Sequence, residues 1–146
     1  MIIKSANSHI RSIQEDDLEQ VYELLQQLSD FKPKISKYSE IFDLFLSQDV
    51  NGLVYVLENK IIGVAFIYFI RKIRGGLVGQ IEDVAVSPQY QGYGFGSKLI
   101  RELIRIANKK KCYVVSLVTS EKNISFYEKL SFNKAEIEMR QKLVTN

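Results

Sequence analysis

The sequence predicts an α/β (α+β) fold in which one mixed sheet carries helices on its faces. Three observations lead there. Stretches of helical spacing and runs of β-branched and aromatic residues follow one another in the order βααβββαβαβ. The residues from Gln80 to Ile104 read as strand, glycine turn and helix in one unit. The composition, 46% hydrophobic and 25% charged, is that of an ordinary soluble globular chain, and 146 residues are expected to form a single domain, 1–146.

Ile10 to Ile13 is the first strand, and Ser12 with Glu15 has the spacing of a capping box for the helix that follows. In that helix Leu18, Val21, Tyr22, Leu25 and Leu28 recur at helical spacing, and Ser29-Asp30 ends it ahead of a loop with Pro33. Tyr38, Ile41, Phe42, Phe45 and Leu46 mark a second amphipathic helix, whose aromatic face reads as packing before it reads as a pocket. From Gly52 the period changes. Leu53 to Leu57 and Ile61 to Phe69 form a hairpin around Glu58-Asn59-Lys60. Arg71, Lys72 and Arg74 then stand beside Gly75-Gly76, a flexible turn whose cations serve either solubility or the grip of a phosphate.

Ile81, Val84, Ala85 and Val86, bounded by Pro88, make a short buried strand. Leu99, Ile100, Leu103, Ile104 and Ala107 supply the buried face of the helix after the glycine turn. Tyr113 to Val118 is the next strand. Ser120 or Asn123 caps a further helix with Ile124, Tyr127 and Leu130, and a last strand is expected between Ala135 and Leu143.

A net charge of +3 and a pI near 8.9 suit a phosphorylated small molecule and are too weak for nucleic acid. Lys109 to Lys111 is the only basic run. It reads as a solvated helix end or as a contact to a cofactor phosphate. Cys112 and His9 are the sole cysteine and histidine, so no intrachain disulfide, no metal site and no Cys-His pair is expected. The longest uncharged apolar run, Ile61 to Ile70, is about half of a membrane span, and the N-terminus lacks the apolar core of a signal peptide. A cytoplasmic protein without membrane or nucleic-acid partners is the expectation.

Gly92, Gly94 and Gly96 leave backbone N–H groups uncovered at the start of a helix, which is an anion cradle. The spacing fits neither the P-loop nor the dinucleotide fingerprint. It fits Gln/Arg-x-x-Gly-x-Gly/Ala, here Gln91-Gly92-Tyr93-Gly94-Phe95-Gly96, between a strand and a helix. In this the chain resembles the GNAT superfamily of N-acetyltransferases. That resemblance implies the acyl-CoA N-acyltransferase fold: a mixed, mostly antiparallel sheet between helices, splayed at its central parallel strands.

The likeness sharpens at Gly79 to Val86, at Tyr90-Gln91-Gly92, and at Glu121-Lys122-Asn123 with Phe126 to Lys129. There the chain is similar to the branch that acetylates the amine of glucosamine 6-phosphate, toward UDP-N-acetylglucosamine. Asp17 to Val21, Arg71 to Ile73 and Glu138-Met139 agree with it.

The resemblance implies acetyl-CoA as cosubstrate, without a metal, held by Val84, Ala85, Val86, Gln91, Gly92, Tyr93, Gly94, Phe95, Gly96, Ser97 and Asn123. The amine attacks directly, in keeping with the lack of a nucleophile-base pair. Glu82 takes the amine proton or binds a sugar hydroxyl, and Tyr127 meets the departing thiolate. Ser29, Lys72, Arg74, Tyr113 and Lys142, with Glu82 and Asp83, are assigned to the sugar phosphate. Members are dimers with an exchanged C-terminal strand, which places Ala135 to Leu143 in a neighbouring subunit. Val118 departs from the pattern, standing where better-known members carry an acid, and the loop from Lys72 to Glu82 is shorter. Another small amine, a polyamine or a peptide amine is therefore the alternative acceptor, and a non-catalytic CoA-binding module the alternative of another class.

Overall fold

The computed structural model describes residues 7–144. Five strands, β1 (Ser8–Ser12), β2 (Val50–Leu57), β3 (Lys60–Arg71), β4 (Leu77–Val86) and β5 (Val114–Leu117), form one sheet in that order among the described residues. The first four run antiparallel and β5 joins β4 in parallel, so the chain must cross over between them. The crossover is α3 (Phe95–Lys109).

The two faces of the sheet have separate cores. On one, Leu99, Ile100 and Leu103 of α3, all fully buried, meet Leu53, Tyr55, Ile67 and Ile81. Each such aliphatic side chain contributes about 1.5–3 kcal/mol. On the other, Leu18, Val21 and Leu24 of α1 (Leu18–Leu25) cover Val54, Val56, Val64 and Phe66. Phe42 and Phe45 of α2 (Tyr38–Leu46) pack beside them, Phe45 edge-on to Phe66 with centroids 5.6 Å apart. Alternation along β2 and β3 feeds both cores at once, which is why these strands read as continuous apolar runs.

The predicted order holds through α4 (Ile124–Glu128), with several corrections. The capping box is not Ser12 with Glu15. Asp17 instead accepts the N–H of Gln14 at 2.7 Å, and Arg11 forks its two oxygens at 2.7 and 2.8 Å. Burial opposes ionisation of Asp17, but these donors outweigh it and hold its carboxyl below the usual range. Helix α1 ends at Leu25, so Leu28 lies outside it and is 53% exposed. Leu130 likewise falls in the turn after α4, donating its N–H to the Tyr127 carbonyl at 2.9 Å.

Residues 133–144 form no strand, and Ile137, Met139 and Leu143 stand open to solvent. A strand needs a paired edge, and among the described residues this segment pairs with neither edge strand of the sheet, β1 or β5. Lys110 closes an ion pair with Asp49 and lies 4.0 Å from the centroid of Phe69, so one member of the basic run is a packing residue.

Candidate active site

The pairing of β4 with β5 runs only from Val78↔Val114 to Ile81↔Leu117. Beyond it β4 continues to Val86 with β3 alone at its side. Ser87 donates its N–H to Ile62 of β3 at 2.8 Å, so by alternation Val86 and Val84 turn their backbone groups the other way, into the gap beside β5. Two side chains occupy the Val86 carbonyl. Gln27 Nε2 donates to it at 3.1 Å and Gln91 Nε2 at 3.0 Å, and the Gln91 amide also reaches Gln27 Oε1 at 3.2 Å.

At the mouth of the gap Gly92 and Gly94 have φ of 83° and 87°, and nothing lies within 4 Å of where a Cβ would be. Gly94 is the N-cap of α3, and Lys98 is the first residue to return an N–H to it, at 3.1 Å. The N–H groups of Phe95, Gly96 and Ser97 are therefore unclaimed donors at the positive end of a fifteen-residue helix. At Gly96 a Cβ would make only ordinary contacts, 3.4 Å from Phe126 and 3.5 Å from Val86, as the Gly/Ala tolerance of the motif at this position anticipates. Phe95 is buried against Tyr55, 4.7 Å between centroids, so only its backbone faces a ligand. This surface fits a diphosphate.

At the start of the gap, just past the last β5 pairing, β4 contains a bulge. Val64 pairs with Ala85 but Phe66 with Glu82, and the inserted Asp83 has φ of 51°. A bulge sets two consecutive side chains on the same side of a strand, so both carboxylates face α1 and α2. Glu82 lines a cleft of about 440 Å³ with Gln48, Asp49, Tyr68 and Gln80. Asp83 borders a cavity of about 180 Å³ under α1 and α2, and Tyr68 borders both.

Burial raises the Asp83 carboxyl above its usual value, and it raises the Tyr68 phenol too, helped by Asp83 and Glu82. Gln80 donates to Glu82 Oε1 at 3.4 Å and is itself held by the Ser116 hydroxyl at 2.7 Å. On the opposite face Tyr127 packs in the cluster that includes Val84 and Val86, 4.9 Å from Phe126 and 5.8 Å from Phe132 between centroids. Burial raises its phenol. Asn123 occupies the N-cap of α4 without a side-chain cap bond, which leaves its amide available.

The acetyltransferase (GNAT) family model matches residues 18–132. The chain belongs to the GNAT acetyltransferase family. It is 38% identical over 136 residues to a glucosamine 6-phosphate N-acetyltransferase of Trypanosoma brucei brucei, covering 90% of this chain and 92% of that one. With glucosamine 6-phosphate N-acetyltransferase 1 of Dictyostelium discoideum it shares 34% over 136 residues, 88% of this chain and 87% of the relative. A solved Trypanosoma brucei acetyltransferase superposes with a TM-score of 0.89 at 36% identity, covering 94% of this chain and all of that one.

GNAT acetyltransferases use acetyl-CoA, and most of the residues read from the sequence for that cosubstrate lie in two neighbouring stretches, with Ala85 turned toward β3 and the opposite core and Asn123 at the N-cap of α4. Val84 and Val86 face the gap, and Gln91 to Ser97 follow at its end. The residues read for the acceptor do not converge. Tyr113 lies against Gly76, where a Cβ would come within 2.6 Å of its ring, and Lys72 donates its N–H to the Gly76 carbonyl at 3.1 Å. Lys72, Arg74 and Tyr113 are thus gathered at the start of β4.

Ser29 follows Gln27 at the far end of β4, and β4's ten residues span about 30 Å. Lys142 sits on the unpaired segment 133–144. Sequence reasoning missed Tyr68, Gln80, Ser116 and Gln27. The alternation of β3 and β4 around Glu82 points to the first two; nothing local points to Gln27. Among the described residues no His, Cys, Asp and Glu group is arranged for a metal, and no helix is long and apolar enough to cross a membrane.

Proposed function

We propose that this acetyltransferase moves the acetyl group of acetyl-CoA to the amine of glucosamine 6-phosphate, in amino-sugar metabolism of the cytoplasm. The observation that carries the reading is the meeting of the β4–β5 gap with the paired carboxylates of the Asp83 bulge. A thioester carried into the gap there reaches the strand that also presents the acceptor side. Relatives with that name at 34–38% identity over most of the chain support it.

Acetyl-CoA supplies an activated acetyl group, and the protein's residues supply position and proton traffic. Phe95, Gly96 and Ser97 donate N–H groups to the diphosphate, with Gly92 to Gly94 allowing the approach. Backbone groups of Val84 and Val86 align the pantetheine arm, and a backbone N–H stabilises the developing oxyanion. Glu82 accepts the amine proton, directly or through water, and its carboxylate is oriented by Gln80. The Tyr127 hydroxyl hydrogen-bonds the departing thiolate. No covalent enzyme intermediate is required.

The acceptor's phosphate is assigned to Lys72, Arg74, Tyr113 and Lys142, and Ser29 to its sugar end. A hexose phosphate is far shorter than the length of β4 that separates Ser29 from Lys72, which supports a site shared between two copies of the chain. In this reading the protein is a homodimer of single catalytic domains. The segment Ala135 to Leu143, exposed in one copy, becomes an exchanged strand in the other.

Free-thiol release from acetyl-CoA with a panel of amines tests the function. Stimulation by glucosamine 6-phosphate above polyamines and peptide amines is expected. Stimulation by another amine alone would move the acceptor, as Val118 allows, and none by any amine would leave a CoA-binding module.

A further inference from the structure

The connection from α1 to α2 is fastened at two places. At its far end Glu19 of α1 accepts from Lys32 Nζ and from the Tyr38 hydroxyl, each at 2.7 Å, and the Glu19 bond is the first cause that pushes the Tyr38 phenol up to about 12. At its near end the fastening is Gln27, just past α1, whose backbone N–H returns to the Leu24 carbonyl at 3.3 Å while its side chain bonds to nothing of that helix. Its amide N–H goes to the Val86 carbonyl, and its amide oxygen accepts from Gln91, the residue that opens the glycine turn. Ser29, with its hydroxyl accepting the Phe31 N–H at 3.2 Å, lies between the two fastenings.

The chemistry of this clip is specific. Val86 O points into a gap where no strand pairs with it, so it needs side-chain donors. Gln91 brings one from the coenzyme loop and Gln27 brings one from the acceptor-side loop. Only a side chain with donor and acceptor on one planar group completes the triangle.

We infer that Gln27 is a positioning residue that couples the coenzyme loop to the α1–α2 connection, so that filling the diphosphate cradle orders the Ser29 segment. This rests on the coenzyme reading of the glycine turn and is independent of which amine is acetylated. Ordering of Gln91 by a ligand at residues 92–97 fixes the oxygen of Gln27, and Gln27 fixes the start of the loop. By linkage, a ligand on the loop must tighten coenzyme binding by the same factor.

Amide hydrogen exchange with and without CoA, on the full chain, tests this. In the unsubstituted protein CoA is expected to slow exchange both at 92–98 and at 26–34. In Gln27→Ala the slowing at 92–98 should remain while that at 26–34 falls about fivefold, the worth of one hydrogen bond. Gln27→Glu keeps the acceptor for Gln91 and loses the donor to Val86; it should show the same loss, and it carries the test if the alanine variant does not fold. Protection retained at both segments in the variants would overturn the coupling. Protection lost at both would make Gln27 part of the coenzyme grip and overturn it as well. No protection at 92–98 in the unsubstituted protein would remove the coenzyme reading together with the inference.

Discussion

The two ends of β4 are built differently. At its C-terminal end the coenzyme half of the proposed site consists of neighbours in sequence: Val84 to Val86, then Gln91 to Ser97, on a strand, a turn and a helix start. At its N-terminal end Lys72, Arg74 and Tyr113 stand around Gly76 with no other acceptor residue near them, and Lys142 waits on an unpaired segment. The contrast has a physical origin. A diphosphate needs backbone donors at a helix terminus, which consecutive residues provide. A sugar phosphate needs separated side chains, which only tertiary or quaternary structure can gather.

The largest effect is expected where both halves meet. Glu82→Gln should lower kcat by about 10²–10⁴ with the acetyl-CoA KM unchanged, the range of a lost proton acceptor. Unchanged turnover would pass that role to the neighbouring Asp83, whose carboxyl burial already favours holding a proton. Tyr127→Phe should lower kcat by about tenfold or more while acetyl-CoA binding stays within about twofold, the outcome of the proposed role of its hydroxyl at the leaving thiolate. Equal losses in both would make it a packing residue.

Gly94→Ala should weaken acetyl-CoA binding by about tenfold, the cost of about 1–2 kcal/mol for a left-handed alanine. The cost is conformational, since a methyl there meets nothing within 4 Å. Unaltered binding would show that the turn tolerates another shape.

The smallest change in activity belongs to Asp17→Asn, away from both halves. It should cost about 2 kcal/mol in stability, as expected for charge-assisted bonds to a buried carboxylate. Its folded carboxyl lies below the unfolded value near 3.9, so the contribution is complete above about pH 4 and disappears as pH falls toward the folded value. Urea midpoints of the two proteins should therefore converge only below about pH 4. Convergence at neutral pH would contradict the Arg11–Asp17 bond.

Legibility followed the same divide. The glycine turn, its strand and its helix could be read because Gly92, Gly94 and Gly96 are local signals. The bulge at Asp83 could not, because it is a property of two paired strands, and neither could Gln27, whose partners are 59 and 64 residues away. The capping box moved from Ser12 and Glu15 to Gln14 and Asp17 because Arg11, on β1, draws Asp17 inward. The last strand was expected from its β-branched and apolar residues, but among the described residues that segment pairs with no other strand.

The central claim is that the coenzyme half is complete in one chain and the acceptor half is completed by a second. Mixing two impaired variants tests it directly. In a hybrid of Glu82→Gln and Lys142→Ala, the protomer with an intact Glu82 receives the intact Lys142 of its partner. After subunit exchange at low glucosamine 6-phosphate, turnover should rise to about a quarter of the unsubstituted rate, since half the dimers are hybrids with one whole site each. A mixture no more active than the average of its two components, with exchange verified, would contradict a shared site.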